Sequence, residues 1–257
     1  MQTIRAAGLE RVFALEWKPA TAATRGAGIE DFLADVHAAV ERIGAPVNLV
    51  GDCQGGWLAA IYAALDPDRV HTLTVAGAPI DFHAGLGAPI PAYVDGFTAG
   101  GRDMGFYRGL VAAGGGVLPG ESQLLGLIAL KPGPRSGSSS RAFEDWFKWT
   151  QPLSGAFYLW IVEHLFRDNA LVRGALDVGG RAVGLGEICC PPYLLAGAED
   201  HITPPAQFFA LADHVSTPPE DITRATAPAG HLGLFMGSGA LRTEWPELMA
   251  DVARRSR

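Results

Sequence analysis

Residues 47–57, VNLVGDCQGGW, combine an apolar run that reads as a buried strand, the turn Gly51-Asp52-Cys53-Gln54-Gly55-Gly56, and the start of a helical pattern. This is a nucleophile elbow of the G-x-S-x-G type with cysteine in the serine position. A side chain presented at a sharp strand-to-helix turn needs an unusual backbone conformation, and flanking glycines remove the Cβ atoms that would clash there. The helix that follows directs its N-terminus at Cys53 and favours the nucleophilic thiolate. The hexapeptide alone reads equally well as a tight turn around an inert buried cysteine, so the downstream residues decide.

A nucleophilic thiol needs a base within hydrogen-bond reach and a group that holds the base's tautomer. Asp200 follows the apolar run PPYLLAGAE, and His231 follows a strand and a Pro-Ala-Gly turn. In the α/β-hydrolases the order along the chain is nucleophile, acid, histidine, the last two on loops after late strands, and Asp200 and His231 occupy those places. With seven histidines present, one downstream is weak evidence on its own. His37 and His214 fall within helical patterns, His71 precedes a strand, and His83 and His164 lie in a segment that breaks the core pattern; solvated or structural roles suit them better. His201 adjoins the acid and is a candidate for tuning the pocket, whereas Glu199 and Asp213 compete less well with Asp200, one at the sheet's end and one inside a helix. Cys189 and Cys190 open a strand and read as packed thiols. No Cys/His cluster has zinc spacing, so no metal is expected, and no Gly-rich phosphate loop opens a helix after the first strand.

The elements that position these residues read as follows. Residues 11–17 (RVFALEW) are expected to form a short buried strand. Ile29, Phe32, Leu33, Val36, Val40 and Ile43 have helical spacing, with Glu30 and Asp31 in the first turn and Gly44 past the end. Val47–Val50 is a strand, Trp57–Leu65 a helix stopped by Asp66-Pro67, and Val70–Ala76 another strand. After Pro79 the pattern breaks: residues 81–140 are rich in Gly and Pro, and PGPRSGSSS (132–140) reads as an exposed loop. Residues 141–174 are helical and aromatic, with Phe143, Trp146, Phe147, Trp149, Phe157, Tyr158, Trp160 and Phe166. Leu176–Val183 has a hairpin turn at Gly179-Gly180. A strand at Pro192–Ala196, a helix at Ala206–His214, a strand near Ile222–Ala225 and a helix near Trp245–Arg254 complete the chain. Strands separated by helix-length segments imply a parallel sheet. The expected architecture is an α/β core of residues 1–80 and 186–257 with a cap insertion of 81–185, whose aromatics form its own core and a surface suited to an apolar acyl chain.

Composition narrows the classes. The 257 residues are 48% hydrophobic and 18% charged, enough for a sizeable core and unlike a disordered chain. A net charge of −7 with no basic stripe argues against nucleic-acid binding. Three cysteines, two of them adjacent, do not make a disulfide framework, and a reducing cytoplasm is the expected setting. The opening MQTIRAAGLERVF lacks the apolar stretch of a secretory signal, and no run is long enough to span a bilayer.

Four segments together resemble the polyhydroxyalkanoate synthases and the intracellular depolymerases with a cysteine nucleophile: GDCQGG (51–56), YLWIVEHLFRDNALVRGALDVGGRAVGLGEI (158–188), LLAGAEDHITPP (194–205) and GHLGLFMGSG (230–239). The resemblance runs from about residue 11 to the C-terminus and implies an α/β-hydrolase fold with Cys53 as nucleophile, His231 as general base and Asp200 as its orienter. It implies transfer of a 3-hydroxyacyl group from a coenzyme A thioester to the hydroxyl end of a polyester, with no cofactor beyond the thioester substrate. It further implies a location at polyester granules and a second copy or related subunit as partner. A depolymerase or acyl-thioesterase with the same triad is the alternative, and a non-catalytic granule- or subunit-binding module is another. Two departures stand out. Trp57 follows the double glycine, where a smaller residue is expected, and either narrows the pocket or packs beneath the elbow. If RVFALEW is the strand before the βα unit that leads to the elbow, the opening strands of the fold are missing, with the loop that carries the second oxyanion donor, leaving the Gln54 N–H. A fragment, a start placed too late, or a completing partner would each account for this.

Overall fold

The computed structural model describes residues 1–85, 104–118, 149, 151–200 and 202–256. His201, the 132–140 loop, Phe143, Trp146 and Phe147 lie outside the described residues. The central sheet has four parallel strands in the order β1 (Val47–Asp52), β2 (Val70–Ala76), β3 (Pro192–Gly197) and β4 (Thr223–Ala227). The register sets Asp52 opposite Ala76, Ala76 opposite Leu195, and Gly197 opposite Ala227, so the strands end close to a common rim. In α/β sheets of this kind that carboxyl-end rim is where ligands bind.

Helices α1 (Ile29–Ile43), α2 (Gln54–Leu65), α3 (His231–Met236) and α4 (Glu244–Arg255) follow the sequence patterns, except that α3 is one the periodicity did not suggest. The α2 sequence QGGWLAAIYAAL is apolar all round, and Gly56 through Ala64 are buried, because the helix is covered on every side. Its small residues let it lie close against β1 and β2. Strands β2 and β3 are buried almost throughout, which matches their near-continuous apolar runs. On α4, Trp245, Leu248, Met249 and Val252 form an apolar stripe that packs with Tyr193, Leu195 and Leu234.

The chain divides into two compact units. The first contains Met1–Leu15, Leu33–Ala88 and Asn169–Arg257, and holds the sheet. The hairpin Leu176–Val178/Arg181–Val183 lies within it, with both turn glycines at positive φ (59° and 81°), the requirement of a type I′ turn. Residues 169–185, read from sequence as part of the insertion, therefore pack with the sheet unit; Arg181–Val183 and Leu185–Glu187 both contact α2. The second unit contains Glu16–Phe32 and Pro89–Asp168. Among its described residues, the helix Met104–Ala113 leads to a short antiparallel pair, Val117–Leu118 with Leu153–Ser154. The helix Gly155–Trp160 then widens into a π-helix, Ile161–Arg167. Phe32 stacks on Phe157 with ring centroids 4.1 Å apart, and Ser154 Oγ contacts the carbonyls of Arg25 (2.9 Å) and Ala27 (2.6 Å).

Two expectations are corrected. Residues 11–17 are not a strand: they lack regular structure, and Phe13, Leu15 and Trp17 are 56%, 43% and 38% exposed. β-branched and aromatic residues favour a strand only where a ladder receives them, and among the described residues β1 pairs with β2 alone. The helix expected at Ala206–His214 is two short helices, Pro205–Phe209 and Leu211–His214, separated at Ala210.

Candidate functional site

Cys53 sits between β1 and α2 with φ 51° and ψ −119°, a conformation that a non-glycine residue holds only when its surroundings impose it. Its N–H donates to the Ala76 carbonyl of β2 at 2.9 Å, and its own carbonyl accepts from the Gly56 N–H at 3.0 Å. The glycines of the motif are not equivalent. A Cβ at Gly51 would fall 2.3 Å from the Gly55 carbonyl oxygen, and one at Gly56 would fall 2.4 Å from the Ala78 Cβ. A Cβ at Gly55 would meet nothing within 4 Å. The close approach that makes the elbow thus rests on Gly51 and Gly56.

Asp200 and His231 come together because the loops after β3 and β4 are bonded to each other. The Ala198 N–H donates to the Ala227 carbonyl (2.8 Å) and the Glu199 N–H to the Ala229 carbonyl (3.1 Å). Gly197 permits that approach, since a Cβ there would lie 2.5 Å from the Ala229 oxygen. Asp200, 4% exposed, uses Oδ1 to accept the Ile202 and Thr203 N–H groups (2.9 and 2.8 Å), which leaves Oδ2 for His231 Nδ1 at 2.8 Å. A carboxylate only accepts, so Nδ1 carries the proton and Nε2 is directed elsewhere. His231 is 6% exposed. Burial lowers its pKa, but hydrogen bonds to Asp200 and to Cys53 and the charges of both outweigh it and push the imidazole up to about 10. Imidazole and carboxylate are thus hydrogen-bonded to each other, and the Cys53 thiol is near enough to act on the imidazole's charge.

The remaining candidates are placed as follows. Gln54 is the exposed first residue of α2, so its N–H is among those a helix start leaves without an intrahelical partner. Trp57 is buried on α2, 2% exposed. His37 approaches Tyr62 Oη at 3.4 Å, His71 Nε2 donates to the Arg255 carbonyl at 2.8 Å, and His164 packs on Trp160. Glu199 is exposed and Asp213 pairs with Arg224 at 3.8 Å. Cys189 is exposed, while burial pushes the half-buried Cys190 thiol up to about 11. Among the described residues no three His, Cys, Asp or Glu side chains are grouped to hold a metal, and no helix is long and apolar enough to cross a membrane.

Three neighbours were not foreseen. Asp52, beside Cys53 and exposed by area, is nonetheless crowded enough that desolvation pushes its carboxyl up to about 6, against the pull of the chain's amino group and His231. Its place inside the elbow motif was the available signal. Phe235 meets the His231 ring edge to face, with centroids 5.3 Å apart and planes at 83°. The i, i+4 spacing would have revealed that pair had α3 been expected. Gly77, directly after β2, has φ +52° and lies against both rings.

No family model matches the chain. It is 26% identical to the poly(3-hydroxyalkanoate) polymerase subunit PhaC of Allochromatium vinosum over 85% of its own length and 61% of the relative's. The corresponding subunit of Synechocystis is 29% identical, over 79% and 57% of the two chains. The chain thus spans about three fifths of the length of these relatives. A solved mutant epoxide hydrolase from Bacillus megaterium superposes with a TM-score of 0.61 at 15% identity, covering 93% of this chain and 79% of the other. The parallel sheet, the elbow at its rim and these likenesses together make the chain an α/β-hydrolase-fold homologue of the poly(3-hydroxyalkanoate) polymerases.

Proposed function

We propose that the chain is an acyltransferase of the polyhydroxyalkanoate synthase type working through Cys53, His231 and Asp200. The observation that supports the reading is the buried Asp200–His231 pair, with Asp200 Oδ2 2.8 Å from His231 Nδ1, together with the strained turn that presents Cys53. Asp200 holds the tautomer that leaves Nε2 for the thiol. The Cys53 sulfur attacks the carbonyl carbon of a 3-hydroxyacyl thioester, and the carbon–sulfur bond to coenzyme A breaks. The coenzyme A sulfur leaves with a proton from the His231 imidazolium. A hydroxyl from the growing polyester then attacks the acyl carbon and gives its proton to His231, the acyl–Cys53 sulfur bond breaks, and the imidazolium returns the proton to the sulfur to restore the thiol. Thioester exchange between two thiols is nearly isoenergetic, so the covalent intermediate is neither a trap nor a steep climb. The Gln54 N–H at the start of α2 is the donor that faces the developing oxyanion.

The relatives are named as subunits, and a second subunit or second copy is the partner this reading expects. Incubation with 3-hydroxybutyryl-coenzyme A tests it: release of coenzyme A thiol with formation of polymer is the expected result. Thiol release with free acid alone would instead assign a thioesterase, and no release in the presence of a labelled, folded chain would defeat both.

A further inference from the structure

Asp200 fixes one nitrogen of His231, but a hydrogen bond to Nδ1 does not by itself set the plane of the imidazole. What restrains the swing lies on the other side of the ring. Gly77 ends β2 with its N–H bonded to the Leu195 carbonyl at 3.1 Å, so its α-carbon is fixed to the sheet. A Cβ built there would stand 3.3 Å from His231 Cε1, 3.1 Å from Phe235 Cζ and 3.1 Å from Leu234 Cδ1. Cε1 is the carbon between the two ring nitrogens. Pressure on it tilts Nδ1 away from Asp200 and Nε2 away from Cys53 together. Phe235, one helical turn after His231, packs its ring edge to face against the imidazole, with its own tip over Gly77.

We infer that Gly77 and Phe235 are positioning residues that set the plane of the His231 imidazole. Gly77 supplies the floor on which Cε1 rests, and Phe235 is the wall that stops rotation. The left-handed backbone at Gly77 (φ +52°) suits glycine for a second reason, since side-chain-bearing residues rarely adopt it. The inference rests on Cys53 and His231 acting as a pair, and the experiment separates the two claims.

The rate at which iodoacetamide alkylates Cys53 is measured from pH 5 to 10 in the full chain by peptide mass spectrometry, with the exposed Cys189 as an internal reference. His231→Ala is the control for the pair, and its Cys53 rate should fall while Cys189 is unaffected. Gly77→Ala, whose added carbon displaces its neighbours by less than the ~1 Å that costs about 100-fold, should slow Cys53 by about tenfold. Phe235→Leu, which keeps apolar bulk but not the ring, should slow it about tenfold and move the pH profile towards that of His231→Ala. If His231→Ala leaves Cys53 unchanged, the pairing itself fails and this inference with it. If His231→Ala slows Cys53 but both Gly77→Ala and Phe235→Leu retain the parent profile, or change Cys53 and Cys189 alike, the positioning role alone is overturned.

Discussion

At the level of single residues, the contact between Asp200 and His231 makes a prediction with a definite sign. His231 is raised from 6.5 to about 10 in the folded chain. The stabilisation it contributes is therefore fully present below pH 6.5 and is lost as pH rises through about 10. Asp200→Asn removes the hydrogen-bonding carboxylate that is the largest single cause raising the value. The difference in urea midpoint between parent and Asp200→Asn should be largest near pH 6.5 and shrink by pH 10. Asp52 works the opposite way: its raised value means the folded chain favours the protonated acid, so stability should fall as pH rises from 3.8 to about 6. Asp52→Asn should flatten that part of the urea-midpoint profile. The turn at Cys53 and the pairing of Asp200 with His231 were legible because the turns around these residues have their own vocabulary. The contacts of Gly77 and Phe235 were not, because they arise where β2 and α3 meet, and nothing in either segment names the other.

Among the elements, the elbow shows how a short motif can mislead about which of its glycines matters. The pattern gives equal weight to Gly51 and Gly55, yet only Gly51 is in close approach, and Gly56, outside the five-residue pattern, is as tightly placed. A methyl at Gly51 would meet a backbone oxygen that cannot swing aside, so Gly51→Ala should destabilise by about 1–3 kcal/mol, the usual scale of overpacking. Gly55→Ala, in a helical position with open space, should change stability by less than about 1 kcal/mol. Thermal melts of the two variants give the comparison, and the reverse order would contradict this account of the turn. The same helix carries Trp57, which is 2% exposed, so its side chain fills a closed site whether it packs beneath the elbow or narrows the pocket. Trp57→Ala should then cost about 3–5 kcal/mol in stability, the scale of emptying a large aromatic site. Helices and central strands were readable because each has its own hydrophobic period; the break at Ala210 and the widening at Ile161–Arg167 were not, since neither alters the pattern of apolar positions.

For the molecule as a whole, burial is graded across the sheet. β2 and β3 each have strand neighbours on both sides and are buried along nearly their full length. β1 is half exposed, with Val50 at 36%, and among the described residues it has one strand partner. The segment 11–17 carries a strand's composition without a strand's hydrogen bonds, and that is why its sequence promised an element the structure does not contain. An amide's resistance to exchange follows the free energy of the opening that frees it, so bonded amides between two buried strands open only with the whole unit. Native-state hydrogen exchange should accordingly find the slowest amides at Leu73, Val75, Leu194 and Leu195, an intermediate group in β1, and the fastest within 11–17. The elbow is the informative exception. Although Cys53 follows a half-exposed strand with one partner among the described residues, its N–H donates to the Ala76 carbonyl of β2. If Cys53 is held by the sheet's interior rather than by β1 itself, its amide should exchange at a rate close to that of β2. Exchange as fast as in 11–17 would mean that the turn opens independently of the strands beneath it, and the strained backbone at Cys53 would then be a conformation the chain visits rather than one the fold enforces.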